Sequence, residues 1–276
     1  DSFDEYWNGP DMRAIRVSMM KGELPSEYCG SCLGEPNSNG KPLDNFSYAL
    51  ESKNALFSET SEEGRFEGSP THFDYRTSNI CNLSCRMCNA ESSSKIESAL
   101  LNVRGNEKEV QNLNIKKKLD SEIYYPELRK ALESGVVERL YFASGESMIQ
   151  QEHWEFLERA IELKHASQID LTYNTNLAYP IEILEKNITR FKEFKSVKFR
   201  VSIDGAEDGA EFIRDGVTWN LFCKNLDRAI QNPHISLENF QITLTIPTLI
   251  EMNSFVRFLN HYDSPILVLP CFPEWL

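Results

Sequence analysis

Apolar and polar positions along most of this chain follow two periods that take turns. From about residue 71 onward, short alternating runs give way to longer stretches of helical spacing. The first is His72-Phe73-Asp74-Tyr75-Arg76-Thr77, which alternates as a half-buried strand does. Strands are predicted at 72–77, 137–143, 168–174, 197–203, 240–246 and 265–270. Amphipathic stripes lie between them: Trp154, Leu157, Ala160 and Ile161; Leu221, Phe222, Leu226, Ala229 and Ile230; Met252, Phe255, Val256 and Leu259. Such stripes read as faces turned toward a core. Six strand-then-helix units in succession predict an α/β fold with a parallel sheet. Six fall short of an eight-stranded barrel, so a partial (β/α)6 TIM-like barrel or a doubly wound sheet is expected. In either, loops at the carboxyl ends of the strands carry the ligand site.

Residues 1–70 follow another pattern. Asp11 to Lys21 reads as a short helix, with Met12, Ile15, Met19 and Met20 near helical spacing and Asp11 as its cap. Gly22 and Pro25 end it, and Cys29-Gly30-Ser31-Cys32 follows on a turn. The stretches 34–40 and 58–69 have the composition of loop and linker. The expected division is therefore a small irregular segment with linker over 1–70 and a core domain over 71–276. A surface excursion is expected at 102–126, after the first helix of the core.

Composition narrows the classes. Of 276 residues, 41% are apolar and 11% aromatic, which supplies a sizeable globular core. No apolar run approaches the roughly eighteen residues of a membrane helix, so no membrane partner is expected. The net charge of −13, from 42 acidic and 29 basic residues, argues against nucleic acid as a partner. Lys116-Lys117-Lys118, the one obvious basic cluster, reads as a solvated helix face. No basic-then-apolar leader opens the chain, which begins at Asp1 and is read as a fragment. Seven cysteines, five of them closely clustered, suggest metal ligation in a reducing cytoplasm rather than a disulfide frame.

Three of those cysteines fall within eight residues, Cys81-Asn82-Leu83-Ser84-Cys85-Arg86-Met87-Cys88. They sit on a loop leaving the first strand. Three thiolates there can hold three irons of a 4Fe-4S cube and leave the fourth without a protein ligand. Zinc is the alternative, but it would need a fourth ligand and usually pairs two Cys-x2-Cys units.

A Cys-x3-Cys-x2-Cys loop after the first of six strand–helix units resembles the radical S-adenosylmethionine (SAM) enzymes. The resemblance covers roughly 72–270. It implies that Cys81, Cys85 and Cys88 bind a 4Fe-4S cluster and that SAM chelates the open iron. One electron then cleaves SAM to a 5′-deoxyadenosyl radical, which takes hydrogen from a substrate. Ala143-Ser144-Gly145-Glu146-Ser147 stands where the family has Gly-Gly-Glu-Pro, implying that Gly145 and Glu146 receive the SAM ammonium. Ser144 and Ser147 depart from that motif, so the loop is less pre-set. Asn174-Thr175-Asn176 resembles the family's Thr-Asn, with Asn176 facing cofactor or capping a turn. Val201-Ser202-Ile203-Asp204-Gly205 resembles Ser-Ile-Asp-Gly, with Ser202 a donor to SAM and Asp204-Gly205 shaping the turn. Arg214 is a candidate partner for the SAM carboxylate, or a member of a surface ion pair. Met87 occupies the position that lies against adenine, with plain packing as its alternative.

Tyr6-Trp7-Asn8, Met12-Arg13-Ala14-Ile15-Arg16, Lys21-Gly22-Glu23-Leu24-Pro25 and Cys29-Gly30-Ser31-Cys32 are similar to the auxiliary-cluster segment of the SPASM/twitch subgroup. Cys29 and Cys32 would then help bind a second iron–sulfur cluster. Two cysteines cannot hold one alone, so other ligands would come from outside this chain, from Cys223 or from Cys271. A half zinc site is the alternative. The implied partners are a peptide or small-molecule substrate and an electron donor such as a flavodoxin or ferredoxin. A non-catalytic cluster- or SAM-binding scaffold and a zinc-stabilised binding module remain rival readings.

Overall fold

The computed structural model describes residues 3–23, 59–76, 78–103, 111–114, 117, 122, 124–143, 145–262 and 264–270. Cys29, Cys32, Ser144, Cys271 and much of the 102–126 excursion lie outside these residues. The chain groups into two units, Asp1–Ser69 and Pro70–Leu276.

In the first unit, α1 (Phe3–Trp7) is followed by α2 (Pro10–Met20). Gly9, not Asp11, is the N-cap of α2, because Pro10 enters at the first helical position, where a missing N–H costs nothing. Asp11 instead lies in the first turn, where its charge suits the helix dipole. Asn8 exchanges two hydrogen bonds with the Phe66 backbone, at 3.1 and 3.0 Å. Arg16 lies 4.6 Å over the Trp7 ring and donates to the Trp7 carbonyl.

The second unit is a six-stranded parallel sheet in the order β1-β2-β3-β4-β5-β6. Chain order runs β1 (His72–Tyr75), α3 (Ser94–Leu101), α4 (Tyr125–Glu133), β2 (Arg139–Phe142), α5 (Gln151–Glu162), β3 (Asp170–Thr175), α6 (Ile181–Phe191), β4 (Ser196–Ser202), α7 (Glu207–Ile213), α8 (Trp219–Ile230), β5 (Ile235–Leu244), α9 (Ile246–Ile250), α10 (Met252–Leu259) and β6 (Ile266–Pro270). An unbroken sequential strand order, every neighbour parallel, is the winding of a partial barrel, as the alternation of periods implied.

Register explains how the sheet carries both a core and a site. Tyr75, Phe142, Tyr173 and Phe199 are paired across β1–β4. Phe142 stacks on Tyr173 at 4.8 Å and meets Phe156 of α5, while Tyr173 meets Phe191 of α6. This row is the helix-facing side. Strand side chains alternate, so Tyr141, Thr172, Asn174 and Arg200 belong to the opposite, inner face.

The helices bury the faces expected of them with adjustments. Helix α5 buries His153, Phe156, Leu157 and Ala160, leaving Trp154 and Ile161 half-buried. Helix α8 buries Asn225 among its apolar positions; its amide donates to the carbonyls of Leu177 and Tyr179. Strand β5 begins at Ile235, five residues before the predicted start at 240. Its polar Glu238 and Asn239 break the apolar pattern, but Glu238 is ion-paired with Arg200 of β4 beside a register shift at Phe199/Arg200. No helix among the described residues is long and apolar enough to cross a membrane. Of the basic cluster only Lys117 is described, and it pairs with Glu97 at 2.7 Å.

Candidate cluster and cofactor site

The cysteine loop follows β1, at the carboxyl end of the sheet, and polar groups from three later segments fasten it. Ser84 N–H donates to the Asp215 carbonyl at 2.9 Å and Arg86 N–H to the Ile213 carbonyl at 3.0 Å. The Ser84 hydroxyl donates to Asp215 Oδ2, and the Arg86 guanidinium lies 4.0 Å over the Phe212 ring. On the other side, Asn82 Nδ2 donates to the Ala178 carbonyl and Asn176 Nδ2 to Asn82 Oδ1. Ser93, the N-cap of α3, donates its hydroxyl to the Leu83 carbonyl at 2.7 Å. Asn79 holds the Ala90 carbonyl and Glu97. Leu83, wholly buried, pins the centre of the loop into the core.

Cys85 is buried, and Cys81 and Cys88 are half-buried; all three are free thiols. Burial pushes the Cys81 thiol up to about 12, with the charges of Glu146 and the neighbouring cysteines adding to it. Burial also raises Cys85 and Cys88, while the Arg214 charge works in the opposite direction on both. Metals bind the thiolate form of cysteine, so a metal held here would displace these protons. Three donors approach two of the sulfurs. Leu83 N–H lies 3.4 Å and Asn176 Nδ2 4.0 Å from Cys81 Sγ, and Arg214 Nη1 lies 3.9 Å from Cys85 Sγ.

Among the described residues no three His, Cys, Asp or Glu side chains are placed to hold one metal ion. A cube asks for something else: three thiols on one loop, each reaching a different iron. The fit to SAM rests on a further orphan. Asn174 Oδ1, one residue short of the end of β3, is buried without a partner and would accept from an ammonium or hydroxyl.

The loop after β2 packs directly on the cysteine loop. Gly145 has φ +58° and stands so near the Ile80 carbonyl that a Cβ would lie 2.3 Å from it. Glu146 N–H donates to the Ile80 carbonyl at 2.9 Å. The Glu146 carboxylate is wholly buried and accepts from Asn176 N–H at 2.7 Å, Met148 N–H at 3.3 Å and the Thr175 hydroxyl at 3.1 Å. It clasps the loops after β2 and β3 together. Burial pushes its carboxyl up to about 7, outweighing these donors.

Other expected residues fall as follows. Asn176, with its backbone on Glu146 and its amide near Cys81, is held between two loops. Ser202 ends β4 half-buried, and Met87 packs half-buried against the core. Arg214 is largely enclosed, not in a surface ion pair: its side chain is 12% exposed and Nε donates to Asp204 Oδ2 at 2.6 Å. Asp204, wholly buried, also accepts from Thr243 N–H at 2.5 Å through Oδ1. The expected turn-former is thus also the counter-ion of the site's largely enclosed cation. Cys223 is half-buried on α8.

The sequence reading did not single out Asn82, Asn79 or Asp215, whose roles depend on pairings of up to 131 residues' separation. It also did not assemble the inner face. There Tyr141 lies between the guanidiniums of Arg76, at 5.9 Å, and Arg200, at 5.0 Å. Arg76 is paired with Asp74.

The Radical SAM superfamily profile matches residues 75–254, so the chain belongs to that superfamily. Its fold is similar to solved structures of low identity. SuiB of Streptococcus suis bound to precursor peptide SuiA is 17% identical with TM-score 0.48, covering 93% of this chain and 52% of that one. Native anSMEcpe with bound AdoMet is 19% identical with TM-score 0.48, covering 72% of this chain and 51% of that one. The same enzyme with AdoMet and the Cp18Cys peptide is 18% identical with TM-score 0.46, covering 72% and 50%. The chain thus spans about half the length of these structures. No curated protein matches it.

Proposed function

We propose that this chain is the core of a radical SAM enzyme of the SPASM/twitch subgroup. Cys81, Cys85 and Cys88 would hold a 4Fe-4S cluster, and the loops after β2, β3 and β4 would hold SAM. When bound, this pair supplies a 5′-deoxyadenosyl radical able to abstract hydrogen from a peptide or small molecule. The observation that carries the reading is the cysteine loop itself: three free thiols, one buried and two half-buried, on a loop fastened to the segments after β2 and β3 and to the carboxyl end of α7.

Each chain residue then has a task. Glu146 holds the β2 and β3 loops at fixed separation, so backbone at Gly145 can approach the SAM ammonium. Asn174 and Ser202 offer an acceptor and a hydroxyl along the strand ends, and Met87 offers a thioether surface beside Cys88. Glu146 is wholly buried and the others half-buried, which limits the access of water that would quench a radical. The polar inner face, with Arg76, Tyr141, Arg200 and Glu238, favours a polar substrate such as a peptide over an apolar one. A flavodoxin or ferredoxin would supply electrons. Free thiols at every described cysteine suit the cytoplasm. Cys29 and Cys32 are assigned to part of an auxiliary cluster.

Anaerobic reconstitution followed by iron, sulfide and zinc analysis tests the cluster. Iron and sulfide in equal amounts, lost together in Cys85→Ser, are expected; zinc in their place would overturn the reading. Incubation with SAM and dithionite should give 5′-deoxyadenosine above that control. Double replacement of Cys29 and Cys32 by Ser should lower iron content while leaving the spectrum of the SAM-binding cluster unchanged.

A further inference from the structure

The site contains an ion pair between the wholly buried Asp204 and the largely buried Arg214, and its orientation is specific. Arg214 leaves α7 at its carboxyl end and turns inward, so Asp204 takes Nε and Nη1 is left against Cys85 Sγ, 3.9 Å away. Asp204 is anchored on its far side by Thr243 N–H of β5. The pair is therefore a fixed dipole, positive end on the sulfur and negative end on the β5 backbone. Burial alone would lower the Arg214 pKa, but the charges of Asp204 and Cys85 hold it above the ordinary value, and a guanidinium keeps its proton in any case. Cys81, by contrast, faces neutral donors, the Leu83 N–H and the Asn176 amide. The cation thus donates to Cys85, and its charge is felt at Cys88 as well.

We infer that Arg214 sets the reduction potential of the cluster through Cys85, with Asp204 fixing its position and moderating its charge. This rests on the cluster assignment above. The physical reason is that reduction adds one negative charge to the cluster and its thiolates. A cation or an N–H donor on a ligand sulfur stabilises that more negative state, so it raises the potential. The carboxylate opposes it, and away from bulk water both act more strongly than they would at the surface. The two residues therefore act with opposite signs. A purely structural role would not produce that pattern, nor would a role confined to holding the SAM carboxylate.

The test is potentiometry of the reconstituted chain without SAM, followed by electron paramagnetic resonance, in the parent and in R214Q, R214K and D204N. R214Q should move the midpoint to lower potential. R214K, which keeps the charge but loses the planar fork, should fall between R214Q and the parent. D204N should move it to higher potential. Iron and sulfide content are measured on the same samples. A parent that binds no cluster sinks the cluster assignment, not this inference alone. Clusters loaded normally, with midpoints unchanged in R214Q and R214K, overturn the inference while leaving the assignment intact. So does a shift of the same sign in R214Q and D204N. If R214Q fails to fold, the opposite shifts of R214K and D204N decide the matter.

Discussion

Glu146 is the residue on which most of the site's backbone geometry converges. Burial raises its carboxyl from 4.5 to about 7, so the folded chain resists ionising it while the unfolded chain does not. The sign follows: this residue's contribution is fully favourable below about pH 4.5 and declines as pH rises to about 7, by roughly 3 kcal/mol. Glu146→Gln removes that dependence and also places an NH2 against donors it cannot satisfy, costing about 1–3 kcal/mol. Urea unfolding should show Gln less stable than the parent at pH 5, with the gap narrowing toward pH 8. Gly145→Ala joins left-handed strain of roughly 1–2 kcal/mol to a clash with the Ile80 carbonyl. It should lower the melting temperature and the iron content together, since Ile80 adjoins Cys81. Legibility in the sequence divides at this scale. Gly145 and Glu146 stood out by motif, but Glu146 as a clasp did not, because its partners Thr175 and Asn176 lie 29 and 30 residues on. Arg214 was legible as a cation and not as a largely enclosed one, since its surroundings are made by residues far apart in the chain.

At the scale of elements, periodicity located all six strands, and the misses have one cause. Polar side chains that pair within the fold look like solvent-facing ones in the sequence. The first half of β5 was hidden by Glu238, and the buried seam of α8 includes Asn225. Asn225→Ala should unfold at lower urea, by about 1–3 kcal/mol, because the carbonyls of Leu177 and Tyr179 would be left buried and unpaired. The outermost strand, β6, carries exposed Ile266, Leu267, Val268 and Leu269.

For the molecule as a whole, a charge of −13 and a pI near 5.0 predict a solubility minimum close to pH 5, measurable by turbidity across pH. The fold class, the winding and the cysteine loop followed from local pattern. The inner face, where Arg76 and Arg200 flank Tyr141, required the sheet to be assembled before it could be seen.

The fastening of the cysteine loop to residues 213–215 bears on how such a protein is made. The thiols lie near the start of the second unit, yet their loop is closed by backbone bonds to Ile213 and Asp215, after four of six strands have been laid down. Contacts this distant along the chain form late. A ribosome would therefore expose three unprotected thiols for most of the domain's synthesis before any pocket exists to receive iron. On the proposed function, metal would be loaded after translation of Asp215. A chain arrested before that point should carry reactive thiols and no metal.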